Sequence, residues 1–194
     1  MPGPVLASVL DPCYGRAMTN NAQWQEGFRN VYDRGVGAWK AGRKSADTMF
    51  SGPDANFLAT IGCTTQELFD FVDDGQRYGE PDFATTLAVT TLRREYFLNV
   101  MGGKSSGTLI DMDRLPAKTA EADGIAWLPR IIQKARAKLR GEMPADLMYG
   151  CGGDRAFFKE VGIDAPSFLK LVWDSGANDR QIIDAVKRAA KRAA

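Results

Sequence analysis

The chain has 194 residues, 44% hydrophobic and 25% charged, with a net charge of +1. That length suits one compact domain or two small ones, and the near-neutral balance supplies no overall field to draw it onto nucleic acid or a membrane surface. It contains no histidine, which excludes Ser-His-Asp and Cys-His nucleophiles and the usual His-ligated zinc and iron sites, and leaves acid–base chemistry to Asp, Glu, Tyr, Cys or Lys.

Residues 1–19 read as an irregular arm rich in Pro and Gly; the apolar run Pro4–Leu10 is short and cut by Asp11, so neither a signal peptide nor a membrane span is expected. From Ala22 to Ala41 the residues Trp24, Phe28, Val31, Tyr32, Gly35 and Trp39 step by three or four, predicting a helix closed by Gly42. Arg43–Pro53 reads as a turn-rich connection. Asp54 stands where an N-cap belongs, before a short helix burying Phe57, Leu58 and Ile61 and stopped by Gly62. Thr64-Thr65-Gln66-Glu67 is a capping box opening a helix through Leu68, Phe71 and Val72, with Gly75 and Gly79 as breaks. Pro81 suits the first turn of a long helix to about Val100.

A Gly/Ser/Lys-rich stretch from Gly102 to Gly107 begins a linker that runs to about Gly124. Four helices follow: Ile125–Arg140; one capped by Asp154 through Phe157, Phe158 and Val161; one capped by Asp164 with Pro166 in its first turn; and a last opened by Asn178 or Asp179. No stretch alternates with period two, so the expected fold is all-α.

The two halves carry one pattern. Phe28–Val72 lies on Leu128–Val172 without a gap, and Gly52, Asp54, Phe57, Gly62 and Val72 recur as Gly152, Asp154, Phe157, Gly162 and Val172. The expectation is two pseudo-repeated four-helix units, residues 20–101 and 125–194, joined by the linker 102–124 and packed as one pseudo-symmetric helical domain. Units that small are marginal alone, so a shared core is expected, and the join is a natural place for a pocket. Residues 1–127 hold 12 Lys/Arg and 16 Asp/Glu and residues 128–194 hold 13 and 8, giving −4 and +5. Drift of surface charge between copies explains this most simply; attraction between an acidic and a basic half is the alternative. Cys13, Cys63 and Cys151 form no CxxC and leave an odd thiol, which fits a reducing, cytoplasmic setting.

The richest loop is Tyr149-Gly150-Cys151-Gly152-Gly153-Asp154-Arg155. Glycines allow close backbone approach, and a helix N-terminus favours anions and activates thiols. On that reading Cys151 is a nucleophile, Asp154 an acid–base group, Tyr149 a further catalytic candidate, Arg155 clamps an anion, and Gly152 and Gly153 approach the ligand. The structural reading makes Asp154 an N-cap, Cys151 a small filler and Gly152-Gly153 a turn. In the first copy Asp54 stands at the matching place, so Asp54 and Asp154 are either an acid–base pair in one pocket or two caps. Trp39 and Trp127 are candidate ligand-lining aromatics, or core anchors with Trp24 and Trp173. Arg93-Arg94-Glu95-Tyr96 reads as a solvated face, Lys104 as part of a flexible linker, and Arg130, Lys134, Arg136, Lys138 and Arg140 as a solvated surface spread around a helix rather than a nucleic-acid stripe. No metal or cofactor motif is present.

The second half also resembles a known family. Trp127-Leu128-Pro129-Arg130-Ile131-Ile132-Gln133-Lys134-Ala135-Arg136-Ala137, then Tyr149, Cys151 and Asp154-Arg155-Ala156-Phe157-Phe158-Lys159-Glu160-Val161-Gly162-Ile163, with the late Asp179 and Ile182, are similar in order and spacing to a bacterial domain-of-unknown-function family, number 5069. Gly152-Gly153 replaces that family's usual Pro-Leu, and Gln133 a frequent Asp. The resemblance implies a small helical domain and no reaction. Taken together, the expected function is a small-molecule-binding protein or cofactor-independent enzyme with its pocket between the copies; the alternative is a non-catalytic protein–protein interaction module. A homo-oligomer is compatible with either, and nucleic acid is disfavoured.

Overall fold

Apolar residues three and four apart wind the first segment into helix α1, Pro12–Lys40, which buries Trp24, Phe28, Val31 and Tyr32 on one face. The computed structural model describes residues 12–193, with side chains over 22–192; the first eleven residues of the expected arm lie outside it, and the rest of that arm is helical. A one-turn helix α2, Ala46–Met49, interrupts the connection that follows. Helix α3, Gly52–Thr60, is capped by Ser51 rather than by Asp54. Helix α4, Thr65–Tyr78, opens with both bonds of the Thr64–Glu67 capping box and runs through Gly75 to end at Gly79, whose φ of 77° closes it left-handed. Helix α5, Phe83–Asn99, is capped by Asp82, with the cis bond Glu80–Pro81 just before it.

The linker is not featureless. It holds a single 3₁₀ turn, Met112–Arg114, and a two-stranded antiparallel ribbon, β1 Glu121–Ala122 and β2 Ile125–Ala126. Asp123 and Gly124 between the strands both have positive φ, 52° and 78°, as a tight primed hairpin turn requires. Helix α6 therefore starts at Leu128, after the ribbon, and runs to Arg140; α7 is Gly152–Val161, α8 Ala165–Ser175 and α9 Asp179–Ala193. The described chain is mostly helical, as the absence of period-two patterning implies.

Among the described residues burial is organised in two clusters. One gathers Trp24, Phe28, Val31, Leu58, Leu68 and Val72. The other gathers Leu128, Ile131, Ala135, Tyr149, Phe157, Phe168, Val172 and Ile182, and it also contains Phe71 of α4 and Val89 of α5. Consecutive residues of α4 thus serve different clusters. Helix α5 packs on both α6 and α8, so the first half is seated on the second through α4 and α5.

Candidate functional site

The loop before α7 is built around a buried carboxylate. Asp154 has no solvent exposure and Lys134 only 2%. Asp154 Oδ2 accepts from Lys134 Nζ at 2.5 Å and from the Gly150 N–H at 2.8 Å, while Oδ1 accepts from Trp127 Nε1–H at 2.9 Å. The buried ion pair is therefore backed by two neutral donors, which such a pair needs to offset the loss of water. Lys134 Nζ also contacts Cys151 Sγ at 3.3 Å. The N-cap position belongs to Cys151, whose side chain makes no capping bond; Asp154 lies three residues inside the helix. Both aspartate caps expected from the sequence are displaced in the same way, because Asp54 also occupies the third position, answering Ser51 in a capping box. Trp127 joins this cluster with φ at 69°, an unusual value for a bulky residue, and its ring covers Gly153: a Cβ there would lie 2.6 Å from the indole.

Beside the cluster lies a cleft of about 530 Å³ between the α4–α5 corner and the α7–α8 corner. Phe71, Val89, Tyr149 and Phe158 form apolar lining, and Glu80, Asp82, Arg155, Lys159 and Asp164 contribute charge. Tyr149 is a fixed wall: its hydroxyl donates to the Ala165 carbonyl at 2.8 Å, and burial, with Asp154 and Asp164 nearby, pushes its pKa well above the usual tyrosine value. Arg155 ties the corners together. Its Nη1 donates to Asp74 Oδ2 at 2.7 Å and to the Gly150 carbonyl at 2.8 Å, and its Nε lies 3.5 Å from Glu80 Oε2.

Residues 114–194 match the family model described as Domain of unknown function (DUF5069). The similarity over residues 125–194 thus holds and extends back to the 3₁₀ turn of the linker. No curated protein and no solved structure matches the chain. The DUF5069 match contains the whole Asp154 cluster and one wall of the cleft; the other wall, from Phe71 to Val89, lies in front of it.

The remaining candidates fall in different places. Asp54 pairs with Arg34 and Ser51, away from the partners of Asp154. Burial works to raise the pKa of Asp54, but the bonds from Arg34 and Ser51 outweigh it and hold the carboxyl below the usual range. Trp39 donates Nε1–H to Asp73 Oδ1 at 2.8 Å, with Lys44 over its ring. Neither Trp39 nor Trp127 lines the cleft, and neither do Cys151, Gly152, Gly153, Asp54 or Asp154; Tyr149 and Arg155 do.

Three basic residues read as solvated are buried. Lys134 holds Asp154, Lys138 donates to Glu67 Oε1 at 2.8 Å across the two halves, and Arg93, 2% exposed, reaches Met101 Sδ and packs on the Phe97 ring. Lys134 and Lys138 are one helical turn apart, next to the buried stripe of α6, so the visible signal was their spacing rather than their charge. Lys104 is exposed. Among the described residues no three Cys, Asp or Glu side chains cluster as a metal site, and no helix is long and apolar enough to cross a membrane.

Proposed function

We propose that the chain is a small-molecule-binding protein whose ligand occupies the cleft between the α4–α5 and α7–α8 corners. The observation that carries this is the cleft itself: about 530 Å³, drawn from both halves, with aromatic and aliphatic walls and a few charged groups at defined places. That size and composition are those of ligand pockets. Its walls are fixed in advance. Arg155 is held by Asp74 and the Gly150 carbonyl, and Tyr149 by Ala165. Such a cleft recognises a compact molecule with an apolar body and a polar end.

The pocket between copies of a duplicated four-helix unit is part of the same proposal. Its support is a pair of ion pairs in register: Arg34 with Asp54 and Lys134 with Asp154, each joining the first helix of its half to the helix that begins at Gly52 or Gly152. We place the protein in a reducing, cytoplasmic setting on its three cysteines without a CxxC.

Ligand-observed NMR with a fragment library tests the reading. Thr85 is partly exposed on the cleft wall, and Thr85→Trp fills the space while leaving the backbone N–H that Asp82 caps. Fragments that compete with one another and lose their signal with Thr85→Trp are the expected result. A library with no binders, or binders indifferent to Thr85→Trp, would refute it.

A further inference from the structure

Lys134 and Cys151 form a pair that the cleft does not use. Lys134 Nζ is 3.3 Å from Cys151 Sγ and 2.5 Å from Asp154 Oδ2. The lysine is 2% exposed and fixed by its ion pair, whereas Cys151 is partly open to solvent. Cys151 is the partly exposed member of the pair, and the Lys134 amine against its sulfur is held immobile with a carboxylate in contact to take its proton. Ser51 and Arg34 stand at the corresponding places in the first half, and neither supports this chemistry.

We propose that Lys134 and Cys151 are a peroxide-responsive modification site that closes to a sulfenamide, a covalent S–N bond joining α6 to the start of α7. In the first step the Cys151 thiolate attacks hydrogen peroxide. An S–O bond forms, the O–O bond breaks, and the hydroxide released takes up the thiol proton as water, leaving a sulfenic acid. In the second step Lys134 passes a proton to Asp154 Oδ2 and its lone pair attacks Sγ. The S–N bond forms as the S–O bond breaks, and the departing hydroxide removes the extra proton on nitrogen and leaves as water. The pair loses two electrons, one peroxide becomes two waters, and Asp154 ends protonated, so no unpaired charge remains buried. A small thiol reverses the link by attacking sulfur and returning the amine.

Cys63 is the internal comparison. It is buried, its Sγ donates to the Thr64 carbonyl, and no lysine bonds to it. The test uses the full chain carrying Cys13→Ser, treated with excess hydrogen peroxide and mapped by peptide mass spectrometry. The expected product is a single cross-linked peptide pair joining residues 134 and 151, about 2 Da lighter than the sum of its parts. Trypsin no longer cuts after Lys134, dithiothreitol restores both peptides, and Cys151→Ser abolishes the link while Cys63 stays unmodified. Because the product is read with Lys134 and Cys151 both intact, the result does not depend on the folding of a variant at either residue. Cys151 found unmodified, stopped as a dimedone-reactive sulfenic acid, or carried to sulfinic acid with Lys134 still cleavable would overturn the proposal. A linked pair that retains an oxygen atom would overturn it as well.

Discussion

Asp154 has no water to fall back on, whereas Asp54 shares its charge with an arginine that is 56% exposed on its side chain. The same residue type in the same helical position is therefore expected to respond differently to loss of charge. Asp154→Asn leaves the Lys134 ammonium buried without a counter-ion, a change that costs about 3–5 kcal/mol in comparable pairs. Asp54→Asn leaves Arg34 hydrated and should cost about 1 kcal/mol or less. Urea unfolding of the two variants at neutral pH checks the contrast, and equal shifts in midpoint would contradict it. Gly153→Ala pushes a methyl into the Trp127 ring, with a cost of about 1–3 kcal/mol from overpacking. Asp154 itself was visible in the sequence as a polar residue opening a helix. Its partner was not: five basic residues in thirteen read as a wet surface, and nothing local says that Lys134 faces a carboxylate twenty residues on. Ion pairs between separate helices are set by packing, which single-helix periodicity does not encode.

Two of the four carboxylates of helix α4, Asp70 and Glu67, titrate in opposite senses. Burial pushes Asp70 up to about 6, against the hydrogen bond from Gln66 and the attraction of Lys138, and with Glu67 and Asp74 adding repulsion. A raised carboxyl pKa means that the folded state holds its proton longer than the unfolded chain. Stability from this group is complete below the unfolded value and is lost as pH rises through about 6. Asp70→Asn should accordingly stabilise the protein at pH 8 by about 3 kcal/mol, with the gain vanishing below about pH 4. Thermal or urea unfolding across that range measures it. Glu67 behaves in reverse: burial is outweighed by Lys138 and the Thr64 N–H, its pKa is lowered, and its stabilisation is lost as pH falls through the folded value. Capping chemistry made the start of α4 readable, since Thr64 and Glu67 are both oxygen-bearing and local. Its end lies beyond Gly75, the break the sequence suggests, because that glycine serves packing: a Cβ would lie 2.9 Å from the Pro81 carbonyl, and the helix continues through it. The ribbon at 121–126 had a local signal in Asp123-Gly124, but its strands are too short to show alternation.

The order of helices followed from periodicity and caps, but the way the halves meet did not, because one residue step on α4 decides it. Phe71 joins the cluster of the second half and Val72 that of the first, with Glu67 and Asp74 of the same helix bonded to Lys138 and Arg155. A helix shared in this way couples the two clusters, so unfolding should be a single event rather than two. Tryptophans in both halves, Trp24 and Trp39 against Trp127 and Trp173, make fluorescence a probe of each, and far-ultraviolet circular dichroism reports the helices together. Phe71→Ala removes the aromatic that enters the second cluster and lines the cleft. It should lower stability by about 3–5 kcal/mol and weaken every fragment that binds the cleft. Fluorescence and dichroism should still report one coincident transition, because the ion pairs of α4 continue to join the halves. Two separated transitions in the parent chain would show that the clusters fold independently. A Phe71→Ala protein that kept its stability would show that α4 does not seat the first half on the second, and the cleft between them would lose its fixed wall.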